Sequence, residues 1–230
     1  MIEATYIDHM GTDLTVANAA RVSFGKTSEM EEDQWGPPKL KDKDAKLIKY
    51  LAKHKHISPF GHCFASFHIK APVFVARQLV KHKFLRWNEI SRRYVDDEPE
   101  FYEPEFWRGR SLDKKQGSEG HMIVMLDQEL QWHRQLTTYN TLLEQGVAPE
   151  MARMVLPQSM MTEWYWSGSL DAFADMCNLR CKPDTQAETR VVAQRIDQIM
   201  LGLFPESWDA LTEDESLVTK LEDILVTPEY

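Results

Sequence analysis

The densest run of chemically useful side chains lies between Arg77 and Tyr94, RQLVKHKFLRWNEISRRY. Six basic residues, Arg77, Lys81, Lys83, Arg86, Arg92 and Arg93, stand there against one acid, Glu89, a local balance of +5. The rest of the chain sums to −14, so the net charge of −9 conceals a basic island in an acidic protein. Such an island calls for a compact anion. Past Arg86, amide, acid, hydroxyl, guanidinium and phenol follow one another from Asn88 to Tyr94. That variety of donors and acceptors suits a nucleotide better than it suits solvent. The plainer alternative is a solvated amphipathic helix followed by a charged strand, since charge runs are usually exposed faces.

Other segments carry candidate chemistry. His54, His56 and His62 fall within nine residues and invite a metal reading, with Cys63, His68 or His82 in reserve. Their spacing matches no familiar ligand set and no carboxylate sits nearby, so no metal is expected. Arg153 stands among small and apolar residues, Met151 to Pro157, where a cation is costly unless paired with an acid or an anionic ligand. Ser91 is the one tempting nucleophile, but a serine needs an adjacent base, and none is evident. It is read as a phosphate-binding residue. The common dinucleotide, phosphate-loop, zinc-protease and serine-hydrolase signatures are absent. What remains is a site of cations and hydrogen-bonding groups, which does chemistry when a cofactor carries the hard step.

The residues that must position the island have a readable pattern. Cys63, Ala65, Phe67 and Ile69 alternate with polar partners up to Lys70, a strand with one core-facing side. It feeds a helix in which Pro72 suits the first position. There Val73, Ala76, Leu79, Val80 and Phe84 recur as a buried face, leaving Arg77, Gln78, Lys81 and His82 on one flank.

These residues also match a family. Lys81-His82-Lys83, seven intervening residues and Ser91, with Asn88-Glu89 inside and Arg93-Tyr94 after, resembles the RHR-x7-S signature of the flavin-dependent thymidylate synthases. Both flanking arginines are lysines here and Arg86 replaces the usual first serine. Lysine keeps the charge but loses the planar fork, so contacts to flavin or phosphate become more point-like. Further blocks resemble the family in its order: Ala20-Arg21-Val22-Ser23-Phe24, the His56 to His62 loop with Gly61 where an acid is usual, Ala152 to Pro157, and Leu179-Arg180 followed by Gln186 to Arg190. Ser169 and Asp175 stand where several members carry amides.

The resemblance implies an enzyme that methylates dUMP to dTMP, with methylenetetrahydrofolate as carbon donor and NADPH-reduced FAD as hydride source. It assigns dUMP to Gln78, Lys81, Glu89, Ser91, Arg92, Arg93, Arg153 and Arg180. Arg180 is the catalytic residue that polarises the pyrimidine. It assigns FAD to His56, Ser58, Lys81, His82, Lys83 and Glu89. It also implies an α+β fold, a mixed sheet flanked by helices, assembled as a homotetramer with shared active sites. The rival reading from another class is a non-enzymatic nucleotide- or RNA-binding protein using residues 77–94.

Length and composition bound these expectations. At 230 residues, 43% apolar and 27% charged, the chain suits one catalytic domain over 1–230, with 205–230 as a peripheral C-terminal segment. The acidic balance argues against nucleic acid as a partner. With no membrane-spanning run and no basic leader before an apolar stretch, no membrane partner and a cytoplasmic location are expected. Cys63, Cys177 and Cys181 form no disulfide framework, and two thiols one helical turn apart are too few ligands for structural zinc. Further elements expected are a strand over Ile2 to Ile7, a helix over Asp13 to Ala20, and one capped by Asp42 or Asp44 that runs to Lys53. Beyond a polar stretch at Arg108 to Gly120, helices are expected over His121 to Gln145, from Pro149, over Leu170 to Leu179 and over Thr185 to Leu203, with a strand over Ser159 to Ser167. The acidic loop from Asp96 to Trp107 carries aromatics that could line a site mouth.

Overall fold

Cys63, Ala65, Phe67 and Ile69 are all buried on one side of a strand in the computed structural model, as their alternation requires. The structure describes residues 1–33, 36–95, 97–111 and 117–212. Its elements in chain order are β1 (Glu3–Met10), α1 (Asp13–Arg21), α2 (Asp42–Lys53), β2 (Phe64–Pro72), α3 (Val73–Leu79), β3 (Arg86–Glu89), β4 (Trp107–Arg110), β5 (Ser118–Met122), α4 (Gln128–Glu144), α5 (Pro149–Ala152), β6 (Met161–Ser169), α6 (Leu170–Arg180), α7 (Ala187–Leu203) and α8 (Pro205–Thr212).

The main sheet runs in the order β1-β2-β6-β3. The α+β class is as expected, but the sheet is not mixed: each neighbouring pair among the described residues is antiparallel. Strand β6 returns alongside β2 through a long intervening excursion, and β3 closes the edge beside it. Trp87 of β3 stacks on Trp164 of β6 with ring centroids 4.3 Å apart. Phe67 meets Phe173 of α6 edge to face at 5.1 Å. Helices α1, α2, α6, α7 and α8 complete the same core, with Val16, Ile48, Phe173, Ile196 and Trp208 buried in it. Full burial of one large apolar side chain contributes about 1.5–3 kcal/mol.

Several expectations are corrected. Helix α3 ends at Leu79, so Val80 and Phe84 are exposed rather than buried. The chain reverses there to reach the sheet edge, and Phe84 takes a left-handed φ of 67°. Gly168 of β6 permits the approach: a Cβ on it would lie 2.4 Å from Leu85 Cδ2 and 3.2 Å from Phe84 O. Neither Asp42 nor Asp44 caps α2, whose N-cap is Lys41. Asp44 is instead buried and accepts hydrogen bonds from Arg21 and Ser28, tying α1 to α2.

The long helix expected from His121 begins at Gln128, capped by Asp127, whose Oδ1 accepts from Leu130 N at 2.9 Å. His121 and Met122 belong instead to β5, whose pairing with β4 also brings strand structure to both ends of the polar stretch from Arg108 to Gly120. The apolar run Met122 to Leu126 mimics a helical stripe, yet Ile123 is 98% exposed. The tail is not peripheral over Pro205–Thr212, because Trp208 is 1% exposed in the core. Residues 213–230 lie outside the described residues. No helix among those described is long and apolar enough to cross a membrane.

Candidate active site

Strand β3 presents Trp87 and Glu89 on the same side, as the two-residue period of a strand dictates. The Glu89 carboxylate is held at both oxygens: Thr162 Oγ1 of β6 donates to Oε1 at 2.7 Å and Trp87 Nε1 donates to Oε2 at 3.1 Å. The chain then turns at Ser91, whose carbonyl accepts from Tyr94 N at 3.0 Å and whose Oγ accepts from Arg93 N at 3.3 Å. This turn sends Arg92 inward and leaves Arg93 and Tyr94 exposed. Arg92 is buried and donates to the carbonyl oxygen of Asp97, with the Asp97 carboxylate at 3.5 Å. Arg93 lies 3.6 Å from Glu150.

A cavity of about 370 Å³ opens beside this turn, lined by Arg77, Glu89, Arg92 and Arg153 together with apolar residues that include Ile90, Met154, Pro157 and Met161. Arg153, placed by the turn that follows α5, is exposed rather than buried among its apolar neighbours, so it needs no salt bridge in the fold. It donates from Nε to Glu150 O at 3.3 Å. Among the described residues neither Arg77 nor Arg153 is in an ion pair. With Arg92 paired to Asp97, the unpaired Arg77 and Arg153 guanidinium groups against the Glu89 carboxylate leave the cavity cationic, with donors suited to an oxyanion.

Arg180, the last residue of α6, belongs to a second cluster. Its Nε donates to His82 Nε2 at 2.9 Å and its Nη2 to Gln78 O at 3.4 Å. Gln78 Nε2 donates in turn to Gln186 Oε1 at 2.5 Å. Burial, reinforced by the adjacent Arg180 charge, lowers the His82 pKa to about 4. His82 is therefore neutral near pH 7 and offers Nε2 as an acceptor, because a guanidinium can only donate. Neither Gln78 nor Arg180 lines the Arg153 cavity. The structure thus gathers Glu89, Arg92 and Arg153 in one place and Gln78, His82 and Arg180 in another.

Lys81 and Lys83 flank His82 where the chain reverses. Both are exposed, and neither reaches a carboxylate among the described residues. His56 and Ser58 lie in the exposed turn after α2, where His56 N donates to Leu51 O at 2.9 Å. The rings of His54 and His56 are 6.4 Å apart, and His54, His56 and His62 do not form a group able to hold one metal ion.

A second cavity, of about 470 Å³, was only half legible. Phe74, Tyr102, Phe106, Trp107 and Trp132 give it an aromatic wall, as the aromatics before Trp107 suggested. Its polar centre was missed. Arg108 Nη2 donates to Glu188 Oε1 and Oε2 at 2.6 and 2.7 Å, and Tyr102 Oη donates to Oε1 at 3.3 Å. Burial and the neighbouring Glu188 charge push the Tyr102 phenol up to about 12. No spacing links Arg108 to Glu188. The role of Thr162 in holding Glu89 carried no signal either.

A family model described as thymidylate synthase complementing protein matches residues 5–206. A flavin-dependent thymidylate synthase of Thermus thermophilus is 42% identical over 213 residues, covering 90% of this chain and 74% of that protein. A flavin-dependent thymidylate synthase of Kosmotoga olearia is 36% identical over 212 residues, covering 89% and 87%. Among solved structures, a UMP/dUMP methylase, PolB, from Streptomyces cacaoi bound with 5-Br dUMP superposes with a TM-score of 0.76 at 29% identity, covering 92% of this chain and 95% of that one.

Proposed function

The chain belongs to the thymidylate synthase complementing protein family, and from that premise we propose that it is a flavin-dependent thymidylate synthase, converting dUMP to dTMP. The carrying observation is the cavity in which Arg77, Arg92 and Arg153 face a Glu89 carboxylate anchored by Thr162 and Trp87. A phosphate ester carries about −1.5 to −2 charges at pH 7, which the cationic lining complements. Arg153 and Arg77 bind it by charge-assisted hydrogen bonds, Arg92 supports the wall, and Glu89 accepts from the nucleoside.

FAD is the cofactor of the family, with NADPH and methylenetetrahydrofolate as co-substrates. The exposed cations Lys81 and Lys83, with no acid to neutralise them, fit the pyrophosphate of a dinucleotide, and His82, Ser58 and His56 add hydrogen-bonding groups. When bound, the flavin supplies the hydride that completes the methyl group on the carbon donated by the folate.

Arg180 acts on the pyrimidine, where its charge stabilises electron density that develops on the ring. Neutral His82 orients that guanidinium without cancelling its charge. The separation of the Arg180 cluster from the phosphate cavity supports a site completed by another copy of the chain, as in a homotetramer with shared sites. Gln78, Lys81, Ser91 and Arg93 then complete the dUMP contacts across that boundary. Each chain contributes one catalytic domain to that assembly, which works in the cytoplasm.

The test is direct. Purified protein should take up FAD, turn yellow and convert dUMP to dTMP when given methylenetetrahydrofolate and NADPH. Colourless protein that cannot be loaded with FAD would sink the reading.

A further inference from the structure

Cys177 lies in the last turns of α6 and Cys181 caps that helix four residues on, a pair too small to hold a metal alone. Helix α7 supplies what the local sequence lacks. The two sulfurs and a carboxylate oxygen of Asp197 all lie within 4.8 Å of one another. Cys177 is buried, whereas Cys181 and Asp197 are partly exposed, so the group has an inner wall and an open side. Trp208 of α8 donates from Nε1 to Asp197 Oδ1 at 2.9 Å. An outer donor of this kind fixes a ligating carboxylate while leaving its second oxygen free. The Cys177 thiol donates to Ala193 O of α7 at 3.6 Å, so its sulfur already faces that helix.

We infer that Cys177, Cys181 and Asp197 form a binding site for a thiophilic divalent cation of the zinc class, with an exogenous ligand such as water in the fourth position. Zinc–sulfur bonds of about 2.3 Å and zinc–oxygen bonds of about 2.0–2.2 Å bring tetrahedral ligands close together, and the three atoms already lie within 4.8 Å of one another. Two thiolate ligands favour zinc over magnesium or calcium, which prefer all-oxygen shells. Binding displaces one proton from each thiol, which passes to solvent. Two thiolates and a carboxylate around a dication leave one negative charge, offset by Arg190, which lies close enough to Cys181 to act on it. No fourth histidine, cysteine or acid joins the group among the described residues.

The site has a structural consequence for its neighbour. Arg180 is the residue before Cys181, so a cation bridging α6 and α7 ties down the turn of helix that carries it. Zinc occupancy is thus a means of stiffening the Arg180–His82 cluster, a consequence that rests on the catalytic reading, whereas binding itself does not.

Calorimetric titration of the reduced, chelator-treated, FAD-loaded full chain with zinc chloride under argon tests this. A single zinc ion per chain is expected, with uptake lost in Cys181→Ser and weakened in Asp197→Asn. Bound zinc should also protect Cys181 of the wild type from alkylation in the native state, read by peptide mass mapping. Retained flavin absorbance in the variants separates loss of the site from loss of the fold, and the protection measurement needs no variant. The inference is overturned by reduced wild type that takes up no zinc, by uptake in both variants equal to that of the wild type, or by a Cys177–Cys181 disulfide that forms in air in a protein whose reduced form ignores zinc.

Discussion

Arg180 Nε donates to His82 Nε2 across 2.9 Å, joining residues 98 positions apart in the chain. His82 spends its lone pair on that bond, and its proton resides on Nδ1. The pairing holds a cation in a defined orientation through a neutral partner. A carboxylate in the same place would cancel the charge that substrate needs.

Arg180→Ala should lower kcat by roughly 10²–10³-fold, the scale for removing one donor to developing negative charge. Flavin absorbance should be retained, because the assigned partner of Arg180 is the pyrimidine. A colourless Arg180→Ala protein would show the role to be misassigned.

The His82 pKa of about 4 lies below the ordinary value of 6.5. Between those values the unfolded chain binds a proton that the folded chain does not. Stability therefore falls as pH drops from about 6.5 to about 4 and levels off below. Because His82 is only half buried, solvent screening limits the effect to about 1 kcal/mol, or roughly 2–4 °C in thermal midpoint for a chain of this size. His82→Gln keeps an acceptor for Arg180 without a titration, so its midpoint should vary less over that window. Identical slopes for the two proteins would contradict the pairing.

Arg153 and Arg92 line the same cavity but answer to different forces. Arg153 is exposed, so Arg153→Ala should raise KM for dUMP by roughly 10–100-fold, the loss of a charge-assisted hydrogen bond of about 1.5–3 kcal/mol, with the thermal midpoint unmoved. Arg92 is buried and tied to Asp97, so Arg92→Ala should lower the midpoint as well. Steady-state kinetics beside a melting curve distinguishes them, and equal destabilisation by both would be the wrong outcome.

Asp44 carries a buried network. Burial raises its pKa, but hydrogen bonds from Ser28 and Arg21 and the Arg21 charge outweigh this and hold it below the usual 3.8. That stability is present above about pH 4 and is lost as pH falls through the folded value. Asp44→Asn leaves Arg21 without its counter-charge and should cost about 3–5 kcal/mol. Urea midpoints of the two proteins measure it, and an unchanged midpoint would mean the network is ornamental to stability.

Elements whose evidence is local were legible. The alternation of Cys63 to Ile69 reports burial at a period that neighbouring residues share. Expectations failed where a local pattern met a distant demand. Ile123, Leu126 and Leu130 have helical apolar spacing, yet β4 claims Met122 by pairing it with Trp107, and the helix starts only at Gln128. Val80 and Phe84 continue the stripe of α3 on paper, but the chain must turn away to place β3 beside β6. The acidic tail gave no hint that Trp208 fills the core.

The sequence by itself determined the family, through the spacing of Lys81, His82, Lys83 and Ser91 and the order of the blocks around it. It also determined the kinds of side chain available, cations and hydrogen-bonding groups without a nucleophile and base. Only the tertiary structure decided which of them meet. The register that sets Glu89 against Trp164 brings Thr162 to its carboxylate, and a slip of one residue would turn Glu89 to the other face. The turn after α3 likewise gave Arg180 a neutral histidine, and packing of α6 against α7 gave the paired cysteines an aspartate. Spacing along a chain encodes the local period, whereas these partners depend on register and packing between segments far apart in it.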